Sequence, residues 1–145
     1  MNSITFPSIL QQGSANQAHT IIRSDNKIDS GTREKIIRYY DAATADYKHW
    51  SKAQNMHFGY KSSRSKALTL ETMLDEMNLQ VLSRLSIDSN SRANILDMGC
   101  GMGATMRFAF KHFSKAQIHG VTISPKQVQE GNSLLRKNGF RDRAT

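Results

Sequence analysis

Apolar positions in the first part of the chain recur every three or four residues, which is the spacing of amphipathic helices. The first pattern begins near Thr32, has an acidic residue in its first turn, and carries Ile36, Ile37, Tyr40 and Tyr47. The second pattern covers residues 65–85, and its apolar stripe consists of Leu70, Met73, Leu74, Met77, Val81 and Leu85. The chain is therefore predicted to form two helices before residue 90.

After a polar segment at residues 86–91 the pattern changes to short apolar runs that alternate with helical patterns. Residues 93–97 and 117–123 are predicted strands, and residues 104–113 and 124–138 are predicted helices. Gly139 follows the last helix, where a left-handed cap is expected. Strand, helix, strand, helix is the beginning of a doubly wound, Rossmann-like parallel α/β sheet.

The predicted organisation has three parts. Residues 1–31 are rich in Ser, Asn and Gln without periodicity, so we expect a flexible leader. Residues 32–90 form a helical N-terminal cap region, and residues 91–145 form the first βαβα part of the Rossmann-like domain, which is incomplete. Two parallel strands make a poorly covered sheet. We therefore expect the chain to be a fragment of low activity alone, and the open edge of the first strand to favour self-association or pairing with a second half.

The composition excludes several classes of protein. With 38% hydrophobic and 22% charged residues the chain has the composition of a globular domain. No apolar run reaches the roughly 20 residues of a spanning helix, and no charged leader precedes an apolar stretch, so neither stable membrane insertion nor a signal peptide is expected. The single cysteine, Cys100, excludes an internal disulfide framework and favours a cytoplasmic location.

The formal net charge is +8, which raises the question of an anionic partner. No dense Lys/Arg block with interleaved aromatic residues is present, so nucleic acid is not the expected partner, and solvated helix faces account for the charge. The five histidines and one cysteine lack the spacing of metal ligands, so no metal site is expected.

Glycines follow the first predicted strand, in the order Asp97-Met98-Gly99-Cys100-Gly101-Met102-Gly103. Glycines between a parallel strand and a helix let the backbone approach a ligand closely, and the helix N-terminus favours an anionic group. Gly99, Gly101 and Ala104 fit the dinucleotide fingerprint. That fingerprint expects an acidic residue about 20 positions on, for the ribose, and Thr122, Ile123 and Ser124 stand there instead.

The spacing Asp-x-Gly-x-Gly-x-Gly resembles the first motif of class I S-adenosylmethionine-dependent methyltransferases. The resemblance implies that the glycines make room for the methionine part of the cofactor and that Asp97 serves its amino group. It thus implies that the cofactor-binding loop contains Asp97, Gly99, Cys100, Gly101 and Gly103. An Asp in such a turn could instead hold only its own backbone amides.

Residues 120–127, Gly-Val-Thr-Ile-Ser-Pro-Lys-Gln, resemble a segment of one methyltransferase branch. The branch includes cyclopropane-fatty-acid and mycolic-acid synthases, and tocopherol, sterol and natural-product methyltransferases. The resemblance implies that Thr122, Ile123 and Gln127 lie against the ribose and adenine side of the cofactor. The same residues predict a helix start, with Ser124 as the cap and Gln127 completing a capping box.

Two segments of the cap region resemble the N-terminal region of the same branch, namely Tyr39-Tyr40-Asp41 and residues 56–60, Met-His-Phe-Gly-Tyr. The resemblance implies a substrate or cofactor lid that contains Tyr39, Tyr40, His57 and Tyr60. His57 could equally be a hydrogen-bonded structural residue.

The sequence therefore predicts methyl transfer from S-adenosyl-L-methionine to a small-molecule acceptor of lipid, isoprenoid, sterol or natural-product type. No catalytic residue is identified, because the resemblance implies that the acid–base residues follow the fourth strand of the sheet, beyond Thr145. Two alternatives stay open, an NAD- or FAD-dependent oxidoreductase and a non-catalytic S-adenosylmethionine-binding or interaction module.

Overall fold

The computed structural model describes residues 29–63 and 69–145. Within these ranges the helices and strands follow one another in the order helix α1 (Ser30–Ala43), α2 (Tyr47–Trp50), α3 (Leu70–Leu82), strand β1 (Asn94–Met98), α4 (Ala104–His112), β2 (Gln117–Val121) and α5 (Pro125–Lys137). Short 3-10 helices occupy Ser83–Leu85 and Arg141–Arg143. Most of the predicted leader lies outside the described residues. None of the described helices is long and apolar enough to cross a membrane.

The first predicted helix is confirmed in place but not in length. It begins at Ser30 and ends at Ala43, and Tyr47 belongs to the separate helix α2. The helix ends where Thr44 turns its hydroxyl back to donate to the carbonyl of Tyr40, at 2.7 Å. Because that carbonyl also receives the Thr44 amide, the last turn is closed by the same residue. Periodicity alone could not show this break, since Tyr47 keeps the helical spacing across it.

The second predicted helix is present as α3, but only part of its predicted apolar stripe is buried, with Leu74 confirmed at the centre of it. Its first turn is capped by Thr69, whose hydroxyl accepts the Thr72 amide at 3.2 Å, while the predicted start at residue 65 lies outside the described residues. The buried side chains are Leu74, Asn78 and Leu82. Leu70, Val81 and Leu85 of the predicted stripe are instead exposed. A polar residue occupies the central buried position because it has hydrogen-bond partners there, which hydropathy cannot reveal.

The predicted strand–helix–strand–helix unit is confirmed. Strands β1 and β2 pair in parallel, with Asp97 opposite Gly120 and Ile95 opposite Ile118. One face of the pair is covered by α4 and its neighbours, and this core contains Met106, Phe110, Phe113, Ile118 and Leu135, with Leu82 of α3. As predicted, Ser124 caps α5 and Gly139 follows it at φ +73°. The parallel crossover brings the carboxyl ends of both strands to the same edge, where ligand sites of such sheets lie.

The two edges of the strand pair differ. Beyond β2, Ala144 forms a parallel bridge with Ile118, and the Gly120 amide donates to the carbonyl of Thr145 at 2.8 Å. On the other edge, β1 has no strand neighbour in the described part of the chain. The outer face of the pair exposes Leu96, Met98 and Val121, at 58, 80 and 57%. Association through this edge, like the division into three parts, stays a prediction.

Candidate functional site

The glycine-rich loop leaves the end of β1 and is fixed to the end of β2 by main-chain hydrogen bonds. The amides of Gly99 and Cys100 both donate to the carbonyl of Val121, at 2.8 and 3.0 Å. Gly99 has φ +81°, and a Cβ built there would meet no atom within 4 Å. Because the position is both left-handed and open, a side chain would be strained and would project into free space. The loop therefore presents bare backbone to two adjoining cavities.

The first cavity has a volume of about 210 Å³ and lies over the end of β1. Its lining residues are Gln54, Met56, His57, Asp97, Gly99, Cys100, Ala104 and Thr105. Asp97 Oδ2 is buried and accepts no hydrogen bond from the described residues. Burial raises the pKa of the Asp97 carboxyl, and the nearby positive charge of His57 acts in the opposite direction. A buried carboxylate oxygen without a donor is costly, so this one is suited to receive a cationic or N–H group of a ligand.

The second cavity has a volume of about 560 Å³ and lies over the end of β2. Its lining residues are Arg33, Tyr40, Met56, Gly99, Gly101, Val121, Thr122, Ile123 and Gln127. None of these described lining residues carries a carboxylate. The lining residues with polar side chains are Arg33, Tyr40, Thr122 and Gln127. Thr122 and Gln127 are joined by a hydrogen bond from Thr122 Oγ1 to Gln127 Oε1 at 2.6 Å.

The predicted capping box at the start of α5 is only half formed. Ser124 Oγ accepts the Gln127 amide at 3.1 Å, as predicted. The reciprocal bond from the Gln127 side chain to the Ser124 amide is absent, and that prediction was wrong, because the Ser124 amide faces Thr122 Oγ1 at 3.4 Å. The Gln127 amide group turns instead toward Thr122 and toward the sulfur of Met56 at 3.8 Å. Gln127 is 2% exposed and lines the second cavity.

Met56 lies between the two cavities and lines both of them. Its sulfur sits so close to Gly101 that a Cβ at that position would collide with it. Met56 is not among the predicted site residues, although it lies in the segment that contains His57 and Tyr60. The signal that could have identified it is its place one residue before His57.

His57 belongs to a partly buried polar cluster that joins three parts of the chain. Its Nε2 lies 3.0 Å from Asn78 Oδ1 and its Nδ1 lies 2.9 Å from the carbonyl of Phe58. Asn78 Oδ1 also accepts from Thr105 Oγ1 at 2.9 Å, and Asn78 Nδ2 donates to Asn55 Oδ1 at 3.2 Å. His57 is therefore a hydrogen-bonded residue, as one of the two expectations has it, and it also lines the first cavity.

Arg107 of α4 ties the cap region to the glycine loop. Its side chain is nearly buried, and its guanidinium donates to the carbonyls of Met102 and Ala53, both at 2.5 Å. Burial lowers the pKa of this guanidinium, which nevertheless stays far above neutrality because an arginine starts so high. The contact joins residues 54 positions apart and was not predicted.

Cys100 is a packing residue of the loop. Burial, reinforced by the negative charge of Asp97, raises the pKa of its thiol to about 11. The thiol therefore stays protonated at neutral pH and is a poor nucleophile. In the described ranges, moreover, no three His, Cys, Asp or Glu side chains are grouped so that they could hold a metal ion.

The structure brings most of the predicted site residues to the two cavities. Those that line a cavity are Tyr40, His57, Asp97, Gly99, Cys100, Gly101, Thr122, Ile123 and Gln127. Gly103 instead caps the start of α4 and lines a smaller space of about 70 Å³ behind the loop. Tyr39 is 66% exposed and packs edge-on against Tyr40. The main-chain amide of Tyr60 donates a hydrogen bond to the carbonyl of Met73 at 2.8 Å. The binding roles of all these residues stay predictions.

Known proteins similar to this chain include lipid and sterol methyltransferases. It is 32% identical over 109 residues to sphingolipid C9-methyltransferase B of Emericella nidulans, covering 74% of this chain and 21% of that protein. It is 29% identical over 127 residues to 24-methylenesterol C-methyltransferase 3 of Arabidopsis thaliana, covering 86% of this chain and 33% of that protein. The chain thus spans a third or less of the length of these relatives.

Solved structures of similar fold include two with low sequence identity. One is geranyl diphosphate C-methyltransferase of Streptomyces coelicolor in complex with Mg²⁺, geranyl-S-thiolodiphosphate and S-adenosyl-L-homocysteine, with a TM-score of 0.60 and 19% identity over 77% of this chain and 46% of that one. The other is a cyclopropane synthase of Mycobacterium tuberculosis, with a TM-score of 0.63 and 23% identity over 72% of this chain and 35% of that one. These likenesses establish the Rossmann-like fold.

The family assignment rests on most of the chain. The model of the mycolic acid cyclopropane synthetase family matches residues 27–145, which include the cap region, the glycine loop and the segment that follows β2. The resemblance found in the sequence is confirmed by this match. The chain belongs to the mycolic acid cyclopropane synthetase family.

Proposed function

We propose that this protein is an S-adenosyl-L-methionine-dependent methyltransferase of a small-molecule acceptor, and that the two adjoining cavities of this chain take the cofactor. The observation that carries the proposal is Asp97, which lines the first cavity beside Gly99 and whose oxygen Oδ2 is buried without a hydrogen-bond partner among the described residues. A primary ammonium group supplies both the charge and the N–H donors that this oxygen lacks.

The residues of the two cavities fit the parts of the cofactor. The amino-acid end suits the first cavity, where Asp97 would receive its ammonium group and Gly99 leaves space for its backbone-like atoms. The nucleoside end suits the second cavity, where Thr122 and Gln127 offer neutral hydrogen-bonding groups. When bound, the cofactor supplies a methyl group activated by a sulfonium centre. The chain's own part is to hold and orient it and to exclude water.

The lining of the second cavity supports this ligand over a dinucleotide. A nicotinamide or flavin dinucleotide site of this fold places an acidic side chain near the end of the second strand, for the ribose hydroxyls. Val121, Thr122, Ile123 and Gln127 stand at that place, without a carboxylate among the lining residues. The family assignment and the relatives likewise give the oxidoreductase alternative no support.

The acceptor we propose is a lipid, isoprenoid, sterol or related natural product, in keeping with the sphingolipid, sterol and geranyl diphosphate substrates in the names of the similar proteins. The walls of the second cavity contribute apolar and aromatic surface from Tyr40, Met56 and Ile123, which suits such a molecule near the cofactor. We propose a cytoplasmic location, and we assign no residue of this chain as a general base.

Binding and turnover test the proposal separately. We expect S-adenosyl-L-homocysteine at a hundredfold excess over its Kd to raise the melting temperature, since that excess stabilises the folded state by about 2.7 kcal/mol. NAD⁺ and FAD at equal concentrations should leave the melting temperature unchanged. Stabilisation by NAD⁺ or FAD alone would contradict the proposal.

Turnover is measured with cofactor carrying a labelled methyl group and with extracted lipid, sterol and isoprenoid pools as acceptors. Transfer of label into one of these pools is the expected result for the protein in the form in which the cell makes it. Tight binding without transfer to any pool would favour the alternative of a non-catalytic binding module.

A further inference from the structure

Asp41 of helix α1 is bonded to the start of helix α5, across 83 residues of sequence. Its Oδ1 accepts a short hydrogen bond from Ser124 Oγ and lies 3.4 Å from the Lys126 amide. The side chain therefore faces the first turn of a 13-residue helix, where unpaired amides and the helix dipole favour a negative charge. Ser124 is fully buried at this junction.

The bond to Asp41 fixes the direction of the Ser124 hydroxyl. That hydroxyl has one hydrogen, and with the hydrogen donated to Asp41 its lone pairs are free to accept the Gln127 amide at 3.1 Å. The Gln127 side chain is in turn held against Thr122 and Met56 in the wall of the second cavity. A continuous series of hydrogen bonds therefore runs from α1 to the cavity wall.

The position of helix α1 depends on polar contacts such as the hydrogen bond between Asp41 and Ser124. None of its side chains is buried, so apolar packing contributes little to holding it. It nevertheless carries Arg33 and Tyr40 to the second cavity. A second contact between the cap region and α5, the ion pair Lys48–Glu130 at 3.3 Å, is substantially exposed, and ion pairs of that kind stabilise little.

We infer that Asp41 is a positioning residue that holds α1 over the second cavity and keeps Gln127 aligned through Ser124. Its loss releases α1 and shortens the residence time of the nucleoside end of the ligand. The second statement rests on the proposed function, whereas the first concerns the ligand-free protein.

Hydrogen exchange of the ligand-free protein, followed by mass spectrometry of α1 and α4 peptides, tests the first statement. We expect Asp41→Ala to speed exchange across residues 30–43 about tenfold, with α4 unchanged, because a local opening reports the contacts that close it. Asp41→Asn keeps an acceptor oxygen without the charge, and should restore part of the protection. The matched control Lys48→Ala, which removes the exposed ion pair between the same two regions, should change exchange less than twofold.

The residence time of S-adenosyl-L-homocysteine tests the second statement by stopped-flow displacement, with dissociation from Asp41→Ala expected about tenfold faster than from wild type. Equal α1 exchange in wild type and Asp41→Ala would overturn the inference. Faster exchange that spreads equally to α4 would also overturn it, by showing a general loss of stability. If wild-type protein fails to bind the ligand, the proposed function and the second statement fall together, while the exchange of α1 still decides the first.

Discussion

The two cavities are bordered by two regions that are assembled in different ways. The glycine loop is made by residues that adjoin in sequence, at the point where β1 ends and the neighbouring carbonyl of Val121 holds the amides of Gly99 and Cys100. The cap region reaches the same cavities only through contacts between distant residues. Arg107 bonds to Ala53, Asn78 bonds to Asn55 and His57, and Asp41 bonds to Ser124.

The difference shows which part of the fold follows from local sequence and which part depends on contacts between distant residues. A parallel strand followed by glycines and a helix places backbone and an acidic side chain at one edge by local geometry alone. No comparable local sequence pattern positions the cap region. Its position depends on a few hydrogen bonds of polar side chains to residues that are distant in sequence. We therefore expect substitutions in the glycine loop to remove ligand binding while the fold persists. Substitutions that remove the long-range hydrogen bonds should instead weaken the attachment of the cap region.

The largest effect on binding is expected from Gly99→Ala, with Gly139→Ala as its matched control. Both glycines have left-handed φ angles, +81° and +73°, and a Cβ at either would meet nothing within 4 Å. The backbone strain should therefore destabilise both variants about equally, by about 1–2 kcal/mol. Of these two glycines, Gly99 borders the cavities and Gly139 does not. The Gly99 variant alone should therefore bind S-adenosyl-L-homocysteine about a hundredfold more weakly, or about 2.7 kcal/mol, by calorimetry.

A loss of affinity of equal size in both glycine variants would show that strain, and not the space above the loop, governs binding. That result would remove the distinction between the loop and the rest of the fold.

The next largest effect is expected from Arg107→Met, which removes the hydrogen bonds of Arg107 to the glycine loop and to the cap region. The carbonyls of Met102 and Ala53 lose their donors, and we expect the free energy of unfolding to fall by about 2 kcal/mol, measured by urea denaturation. Lys111→Met is the control, because Lys111 is an exposed cation one helical turn further along α4. Equal free energies of unfolding for the two variants would mean that the hydrogen bonds of Arg107 do not stabilise the fold and that other contacts hold the cap region in place.

The fold of the second part of the chain could be predicted because its rules are local. Alternation of strands and helices, the Ser-Pro start of α5 and the glycine that ends it were all visible in the sequence, and each element is present within a few residues. The stripe of α3 could not be predicted in the same way. Asn78 is buried there only because Asn55, His57 and Thr105 come to it from elsewhere in the chain.

The candidate site was predictable to the extent that it follows the strand ends. Asp97, Gly99, Thr122 and Gln127 lie at those ends and were singled out. Met56, Asp41 and Arg107 were not assigned roles, because what they do depends on contacts between elements whose packing the sequence does not reveal. The same limit explains the capping box, in which the choice of Gln127 between its own helix end and Thr122 depends on the neighbouring strand end.

A smaller effect is expected from pH, acting on Asp97. Because burial raises the pKa of this carboxyl in the folded protein above the ordinary value of 3.8, its stabilising contribution is present at low pH and is lost as pH rises through the raised pKa. Ionisation is also the state that receives an ammonium group. Relative to Asp97→Asn, the wild-type protein should therefore lose stability and gain affinity for S-adenosyl-L-homocysteine over the same rise in pH.

Thermal unfolding and calorimetry across the acidic range check this opposition, with Asp97→Asn serving as the reference that does not titrate at this position. Affinity and stability that rise together with pH in the wild-type protein, relative to the variant, would show that the carboxyl is held by donors of the protein itself.

The central claim is that the unpartnered oxygen of Asp97 receives the cofactor's amino group, and the dissociation constant of S-adenosyl-L-homocysteine for Asp97→Asn at neutral pH tests it most directly. We predict a loss of affinity of at least about tenfold, or about 1.4 kcal/mol, in a variant whose melting temperature equals or exceeds that of the wild type. An unchanged dissociation constant in a folded variant would contradict the account and leave Asp97 as a residue of the turn alone.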